Sequence, residues 1–207
     1  MNLSRTIALA AGILTCSLLL AVARAEEKPA SFKPIFDGKT LTGWHAIGDG
    51  EWQAEDGMIV GRHPKEKDFG HLVTDKSYKD FVIRLKFKSV KGNSGLYFRV
   101  TLGGFSGVSG FQAEIDPQKD VGGLYETNGR NWVSQPTPEQ VKSWFKPDEW
   151  NEMTVTAKGG DITVTINGKV SAQLKHDPGK FREGPFALQV HGGQEGEVYF
   201  KDIEVAE

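Results

Sequence analysis

An amide and two carboxylates alternate along one short segment of the chain, and their spacing suggests chemistry. Residues 110–116 (GFQAEID) are typical of a β-strand, in which successive side chains point to opposite faces. Gln112, Glu114 and Asp116 would then share one face. The opposite face would carry Phe111, Ala113 and Ile115. Two acids that lie so close together repel each other, so a functional reason for their proximity is expected.

Two other predicted strands carry polar side chains opposite an apolar row. Tyr97 and Arg99 lie on one of them, and Gln189 and His191 lie on the other. If these strands join the first one in a single sheet, they form a surface with an acid, a base and a cation. The sequence does not give the adjacency, and a solvated outer face is the alternative for each strand taken alone.

A third group of candidates lies further along the chain, in a predicted strand and turn. Tyr125 and Arg130 are suited to binding an oxygen-rich ligand, and Trp132 follows them. An aromatic ring can bind the apolar face of a sugar while polar groups bind its hydroxyl rim. These three residues are therefore predicted to contact a substrate.

No cofactor is indicated with certainty. The histidines at positions 63, 71, 176 and 191 lack the close spacing of zinc ligands. A divalent metal held by His191 with Glu114 or Asp116 remains open. The glycine-rich residues 103–110 precede no helix, so they predict a hairpin loop that could cover a site and not a phosphate-binding loop.

The elements that must position these residues are mostly strands. Period-two alternation recurs over residues 81–88, 96–101, 162–166 and 186–190, and Asn167-Gly168 is a strong hairpin signal. One short helix is expected near 138–144, where Thr137 and Gln140 form a capping box. The pattern predicts an all-β protein, a two-sheet sandwich or jelly roll.

The start of the chain has the features of a signal peptide at residues 1–25. Arg5 precedes an apolar run, and Ala23-Arg24-Ala25 resembles a cleavage site. We predict a disordered leader at 26–33 and one domain at 34–206. Export to the periplasm or the exterior is expected, with no membrane anchor after cleavage. Cys16 is the only cysteine, so the mature chain can form neither disulfides nor a thiolate site.

The charge balance excludes some partner classes. Cleavage would remove Arg5 and Arg24, leaving 23 of the 25 basic residues against 27 acidic residues. The mature chain is mildly acidic and has no basic stripe, so nucleic acid is not expected as a partner. The oligomeric state is left open by the sequence.

Several motifs together resemble the 3-keto-disaccharide hydrolase domain family over residues 34 to 206. They occur in the family's order, and they are FDGKTLTGW at 36–44, NSGLYFR at 93–99, GFQAEID at 110–116, GLYE at 123–126, EWN at 149–151 and LQVHGG at 188–193. One departure concerns the strand at 110–116, where other members have the order E-x-Q and this chain has Gln112-Ala113-Glu114.

The resemblance implies a concanavalin A-like jelly roll of two antiparallel sheets that acts on oxidised sugars or glycosides. A ketone at C3 acidifies the C2 proton, whose removal can expel the C1 substituent, and water can then add. His191 or Glu114 would be the base, Asp116 or Glu114 the acid, and Arg99 would stabilise the enolate. Tyr97, Gln112 and Gln189 would bind the substrate.

Two alternatives are compatible with the same fold. A non-catalytic carbohydrate-binding module would bind sugar without cleaving it. A laminarinase-type glucanase would use Glu114-Ile115-Asp116 with a second carboxylate about 5 Å away. Pro117, Gln118 and Lys119 follow here instead of that acid, which disfavours the glucanase.

Overall fold

The computed structural model describes residues 31–207. The predicted signal peptide and most of the predicted leader lie outside the described residues. Strand pairing begins at β1 (Lys33–Pro34), where Lys33 lies opposite Val205. The last residue assigned to the leader therefore already belongs to a sheet.

The first sheet contains eight strands, paired antiparallel throughout. In spatial order its strands are β13 (Lys169–Leu174), β12 (Asp161–Ile166), β11 (Asn151–Lys158), β6 (Phe81–Lys91), β15 (Gly196–Ala206), β4 (Met58–His63) and β3 (Glu51–Glu55), and β1 also pairs with β15.

The second sheet contains seven antiparallel strands. In spatial order they are β10 (Asn131–Ser134), β9 (Leu124–Thr127), β8 (Val108–Ile115), β7 (Ser94–Leu102), β14 (Gly184–Val190), β5 (Gly70–Tyr78) and β2 (Trp44–Gly48). The three strands with the predicted polar faces are therefore neighbours, with β7 between β8 and β14.

The core lies between the two sheets, where the alternating apolar residues meet. Ile83, Leu85 and Phe87 of β6 are buried from one side, and Phe111, Ala113 and Ile115 of β8 from the other. Strand alternation therefore places one face of each sheet in the core and leaves the other face free for polar groups. This architecture confirms the predicted jelly-roll sandwich.

Local signals in the sequence form as predicted. The helix α1 spans Pro138–Trp144, and in its capping box the side chains of Thr137 and Gln140 each accept a hydrogen bond from the backbone N–H of the other residue. Asn167 and Gly168 both have positive φ, 49° and 79°, which the tight turn between β12 and β13 requires. Within residues 31–207, no helix has the length and apolar character needed to cross a membrane.

Candidate active site

A cleft of about 370 Å³ opens on the outer face of the second sheet. Strands β7, β8, β9 and β14 supply its floor, and strand β10 and the neighbouring loops supply its walls. Its lining consists of Phe69, Asn93, Tyr97, Phe105, Ser106, Gln112, Glu114, Tyr125, Thr127, Asn128, Asn131, Trp132, Gln189 and His191. Seven residues predicted from the sequence therefore meet in one place: Tyr97, Gln112, Glu114, Tyr125, Trp132, Gln189 and His191.

Strand register determines which side chains meet on the floor. Gly95 of β7 lies opposite Glu114 of β8 on one side and opposite Gln189 of β14 on the other. A Cβ atom at Gly95 would lie 2.5 Å from Nε2 of Gln112. The missing side chain at Gly95 therefore leaves the space in which Gln112 reaches across β7.

Among residues 31–207, Glu114 supplies the only carboxylate that lines the cleft, and only 5% of the residue is exposed. Nδ2 of Asn93 donates a hydrogen bond of 2.7 Å to its Oε1 atom. Burial raises the pKa of Glu114 from 4.5 to about 8, and the nearby Asp116 and Asp120 act in the same direction. The hydrogen bond from Asn93 opposes this change without cancelling it. Glu114 can therefore exchange a proton near neutral pH.

A hydrogen-bonded chain of uncharged groups fills the rest of the floor. Nε2 of Gln112 donates to Oε1 of Gln189 at 3.0 Å, and Nε2 of Gln189 donates to the Tyr97 hydroxyl at 3.2 Å. That hydroxyl also pairs with Oγ1 of Thr127 at 3.1 Å. Burial raises the pKa of Tyr97, so its phenol stays neutral and can act as a donor. The chain holds the amides in fixed positions beneath any ligand.

Aromatic side chains form two walls of the cleft. Tyr125 and Trp132 meet edge to face, with ring centroids 5.1 Å apart. On the opposite side Phe69 packs against His191, with centroids 4.5 Å apart. Nδ1 of His191 lies 2.7 Å from the carbonyl oxygen of Gly192, so Nδ1–H donates a hydrogen bond to that oxygen and Nε2 is left as the basic nitrogen. Flat rings beside hydrogen-bonding groups are suited to a sugar.

Arg99 does not line the cleft, contrary to the prediction that it would stabilise an enolate there. The pairing of β7 with β8 shifts register after Phe98, and Arg99 has a φ of 54°. This β-bulge turns its side chain away from the floor. The guanidinium is buried and donates to the carbonyl oxygens of Lys79 and Gly159 at 2.7 to 3.1 Å. Its contacts are those of a structural residue.

Asp116 and Arg130 also lie outside the cleft lining. Asp116 follows the end of β8, and its carboxylate accepts the backbone N–H of Gln118 at 3.0 Å. Because β8 ends at Ile115, the strand alternation does not extend to Asp116 and does not place its side chain beside that of Glu114. Arg130 is held by Glu126 and by Asp177, the latter at 2.8 Å. Neither side chain is placed where the sequence predicted.

The donor set for a metal is incomplete. Glu114 and His191 both line the cleft, but within residues 31–207 no group of three or more His, Cys, Asp or Glu side chains comes together. The described residues thus do not form the cluster of ionisable ligands that a divalent metal usually needs. No chemical step below depends on a metal.

Sequence reasoning missed several residues of the cleft. Asn93 stands directly before β7 and holds Glu114, and its neighbours Ser94 and Gly95 belong to a motif already noted. Phe69 and Phe105 are single aromatics within polar or glycine-rich loops, which is the signal that could have found them. Thr127, Asn128 and Asn131 also line the cleft, but nothing in their spacing singled them out.

A jelly-roll sandwich with one buried acid, an imidazole and aromatic rings around a cleft is typical of carbohydrate-active domains. The chain belongs to the 3-keto-alpha-glucoside-1,2-lyase-like domain family, whose sequence profile matches residues 31–206.

Known proteins are similar to this chain both in sequence and in structure. A 3-keto-disaccharide hydrolase from Bacteroides thetaiotaomicron is 35% identical over 74 residues, a match that covers 31% of this chain and 26% of that protein. A candidate glycosyl hydrolase from Parabacteroides distasonis has 25% identity and a TM-score of 0.63, covering 84% of this chain and 93% of its own. The carbohydrate-binding module CBM66 from Bacillus subtilis shares the fold at 17% identity, with a TM-score of 0.60 over 80% of this chain and 96% of its own.

Proposed function

We propose that this protein cleaves the glycosidic bond of 3-keto-glycosides, such as 3-keto-disaccharides, by elimination followed by addition of water. The observation that carries the proposal is the buried Glu114 carboxyl, whose pKa of about 8 suits proton transfer at neutral pH, in the same cleft as His191. Membership of the 3-keto-alpha-glucoside-1,2-lyase-like family supports the same chemistry.

The first step is the removal of the proton on C2, which the C3 ketone makes acidic. His191 takes this proton through Nε2, and the electron pair of the C2–H bond forms an enolate with the ketone. The enolate then forms a C1–C2 double bond as the bond from C1 to the leaving oxygen breaks. Glu114, neutral below a pH of about 8, donates its proton to that oxygen.

Addition of water reverses these roles. The Glu114 carboxylate takes a proton from water while the hydroxyl group adds to C1, and His191 returns its proton to C2. Both residues end in their starting protonation states, and the net reaction is hydrolysis. If the intermediate leaves before water adds, the same site releases an unsaturated sugar and acts as a lyase.

Uncharged donors would stabilise the enolate, because Arg99 is occupied elsewhere. The amides of Asn93, Gln112 and Gln189 and the hydroxyl of Tyr97 form a fixed floor of hydrogen-bonding groups. Preorganised donors in a water-poor cleft stabilise developing charge without having to reorient during the reaction. Tyr125 and Trp132 provide the aromatic wall against which the sugar ring packs.

The test is release of free sugar from a 3-keto-glycoside by the purified protein, with and without a chelator. We expect Glu114→Gln and His191→Ala each to lower kcat about 100-fold or more. Glu183→Gln is the matched control, because Glu183 is exposed and lies outside the cleft lining, and it should retain full activity. The melting temperature of each variant checks that the fold is intact.

Three outcomes would contradict parts of the proposal. Near-normal turnover in both cleft variants would remove Glu114 and His191 from the mechanism. Binding of the sugar without release would identify a carbohydrate-binding module instead, a role that the fold also permits. Loss of activity with the chelator alone would mean that a metal supplies part of the charge stabilisation.

A further inference from the structure

A second cavity of about 470 Å³ adjoins the cleft. The two share Phe69, Phe105 and Ser106 as a common wall. The rest of the second cavity is formed by Ile47, Gly48, Asp68, His71, Leu102, Gly104 and Gly107. None of these seven residues takes part in the chemistry proposed for the cleft.

Strand register places both cavities along one row of the second sheet. Glu114, Gly95 and Gln189 lie opposite one another across β8, β7 and β14, and the row continues through His71 of β5 to Ile47 of β2. Neighbouring strands are about 4.8 Å apart, so three spacings separate Glu114 from His71 by about 14 Å. A glycoside of two rings can extend along such a row from one cavity into the other.

The wall of the second cavity exposes apolar surface to solvent. Phe105 is 91% exposed and Leu102 is 59% exposed, and these are two of the four large exposed hydrophobic residues in the described part of the chain. Exposed apolar groups that cluster beside a cavity are typical of a ligand-binding surface. The others, Val90 and Val170, are not part of either cavity.

The loop between β7 and β8 holds Phe105 in this exposed position. Gly103 and Gly104 precede it with φ of 119° and 93°, values that other residues rarely adopt. The Phe105 ring contacts the edge of Phe69, with centroids 6.0 Å apart, and Phe69 in turn contacts His191. When C2 of a sugar lies at His191, a group attached to the neighbouring C1 can therefore continue along an aromatic path into the second cavity.

One buried polar atom of the second cavity has no partner. Nε2 of His71 is enclosed and makes no hydrogen bond within residues 31–207, and no other lining residue of this cavity has such an atom. Burial lowers the pKa of His71 to about 4, and His191 acts in the same direction, so the ring is neutral. The lining of the second cavity is thus uncharged except for Asp68, which favours an apolar group over a charged one.

We infer that the second cavity binds the leaving group of the glycoside and that it selects an apolar ring. This inference rests on the proposed function. The sugar that reacts would pack against Tyr125 and Trp132 with its C1 and C2 between Glu114 and His191, while its aglycone would pack against Phe69, Phe105 and Leu102. Phe105 is then a specificity-determining residue that is not needed for proton transfer.

The experiment compares cyclohexyl and methyl 3-keto-glucosides of the same anomer. Their leaving oxygens have similar acidity, so a difference in kcat/KM reports contact with the ring and not bond polarity. We expect the wild type to prefer the cyclohexyl glycoside about tenfold. Leu102→Ala changes only the second cavity and should reduce that preference while leaving the methyl glycoside within about twofold. Phe105→Ala, which also changes the wall of the cleft, should remove most of the preference. Val170→Ser, an exposed apolar position on β13, is the control and should change neither value.

Calorimetric binding of the unoxidised cyclohexyl and methyl glucosides provides a readout that does not need turnover. If the wild type cleaves neither 3-keto-glycoside, the proposed function fails, but tighter cyclohexyl binding that Phe105→Ala abolishes would still support the second cavity as the site for the ring. Equal effects of Phe105→Ala on both glycosides, or no cyclohexyl preference in either assay, would overturn the inference. The inference would also be overturned if Phe105→Ala lowered kcat/KM for a 3-keto-disaccharide but not for the cyclohexyl glycoside.

Discussion

The carboxyl group of Glu114 is enclosed on the floor of the cleft, where water cannot stabilise its charge. Its pKa of about 8 therefore follows mainly from burial. The single hydrogen bond from Asn93 leaves Oδ1 of that amide without a partner among residues 31–207. A bound sugar hydroxyl could donate to this oxygen, which would connect sugar binding with the position of Glu114, the proposed acid.

The raised pKa of Glu114 predicts how stability changes with pH. The folded protein binds this proton more tightly than the unfolded chain, whose carboxyl has a pKa near 4.5. Glu114 therefore contributes stability fully below pH 4.5 and loses that contribution as the pH rises to about 8. Between pH 4 and pH 9, the melting temperature of Glu114→Gln should increase relative to that of the wild type as the pH rises. A difference in melting temperature between the two proteins that stays constant across this pH range would contradict the burial of the carboxyl.

At the scale of the elements, a β-bulge separates structural residues from those of the cleft. Up to Phe98, strand β7 alternates as the sequence predicts, and Tyr97 faces the cleft. The register shift that follows sends Arg99 to the carbonyl oxygens of Lys79 and Gly159. Those oxygens belong to the turns that precede β6 and follow β11, so Arg99 ties the second sheet to the ends of two central strands of the first.

Arg99→Met should therefore destabilise the protein without altering its chemistry. The change removes the hydrogen bonds that the buried guanidinium donates to the carbonyl oxygens of Lys79 and Gly159, and we expect the free energy of unfolding to fall by about 2 to 4 kcal/mol. Urea unfolding measures this loss, and kcat/KM of the folded protein should stay within about threefold of the wild type. Arg84→Met is a control, because Arg84 is half-exposed in its pair with Glu204 and should cost about 1 kcal/mol or less. A large drop in kcat with unchanged stability would return Arg99 to the active site.

At the scale of the whole molecule, the second sheet supplies the cleft and the first sheet supports it. The two sheets share a continuous apolar core, so the residues of the outer face rest on rigid strands. The catalytic candidates come from strands or strand ends, while the aromatic residues at one side of the cleft, Phe69 and Phe105, come from loops. This division is suited to a site with fixed chemistry and adjustable substrate preference.

We propose that the whole chain is exported and cleaved after Ala25. The apolar run and the small residues before position 26 support this prediction. Intact mass and N-terminal sequencing of the protein from a native host should give a mature chain that begins at Glu26 and is found outside the cytoplasm. A chain that keeps residues 1–25, or that stays in the cytoplasm, would contradict it.

Local patterns in the sequence were sufficient to predict much of this protein. Alternation of apolar and polar residues determined which faces of β6, β8 and β14 enter the core, because strand geometry repeats every two residues whatever lies beyond it. The capping box of α1 and the Asn167-Gly168 turn depend on contacts within four residues. Glu114, Gln112, Tyr97, Gln189 and His191 were placed on the correct face for the same reason.

The tertiary structure alone decided which of these faces meet. Residues 94–115 and 184–190 become neighbours only when distant strands pair, and no local pattern encodes that choice. The same pairing introduces the bulge that removes Arg99, and the end of β8 that removes Asp116. It also buries Glu114, and burial raises the pKa of this carboxyl to about 8 because the surrounding water is replaced by protein.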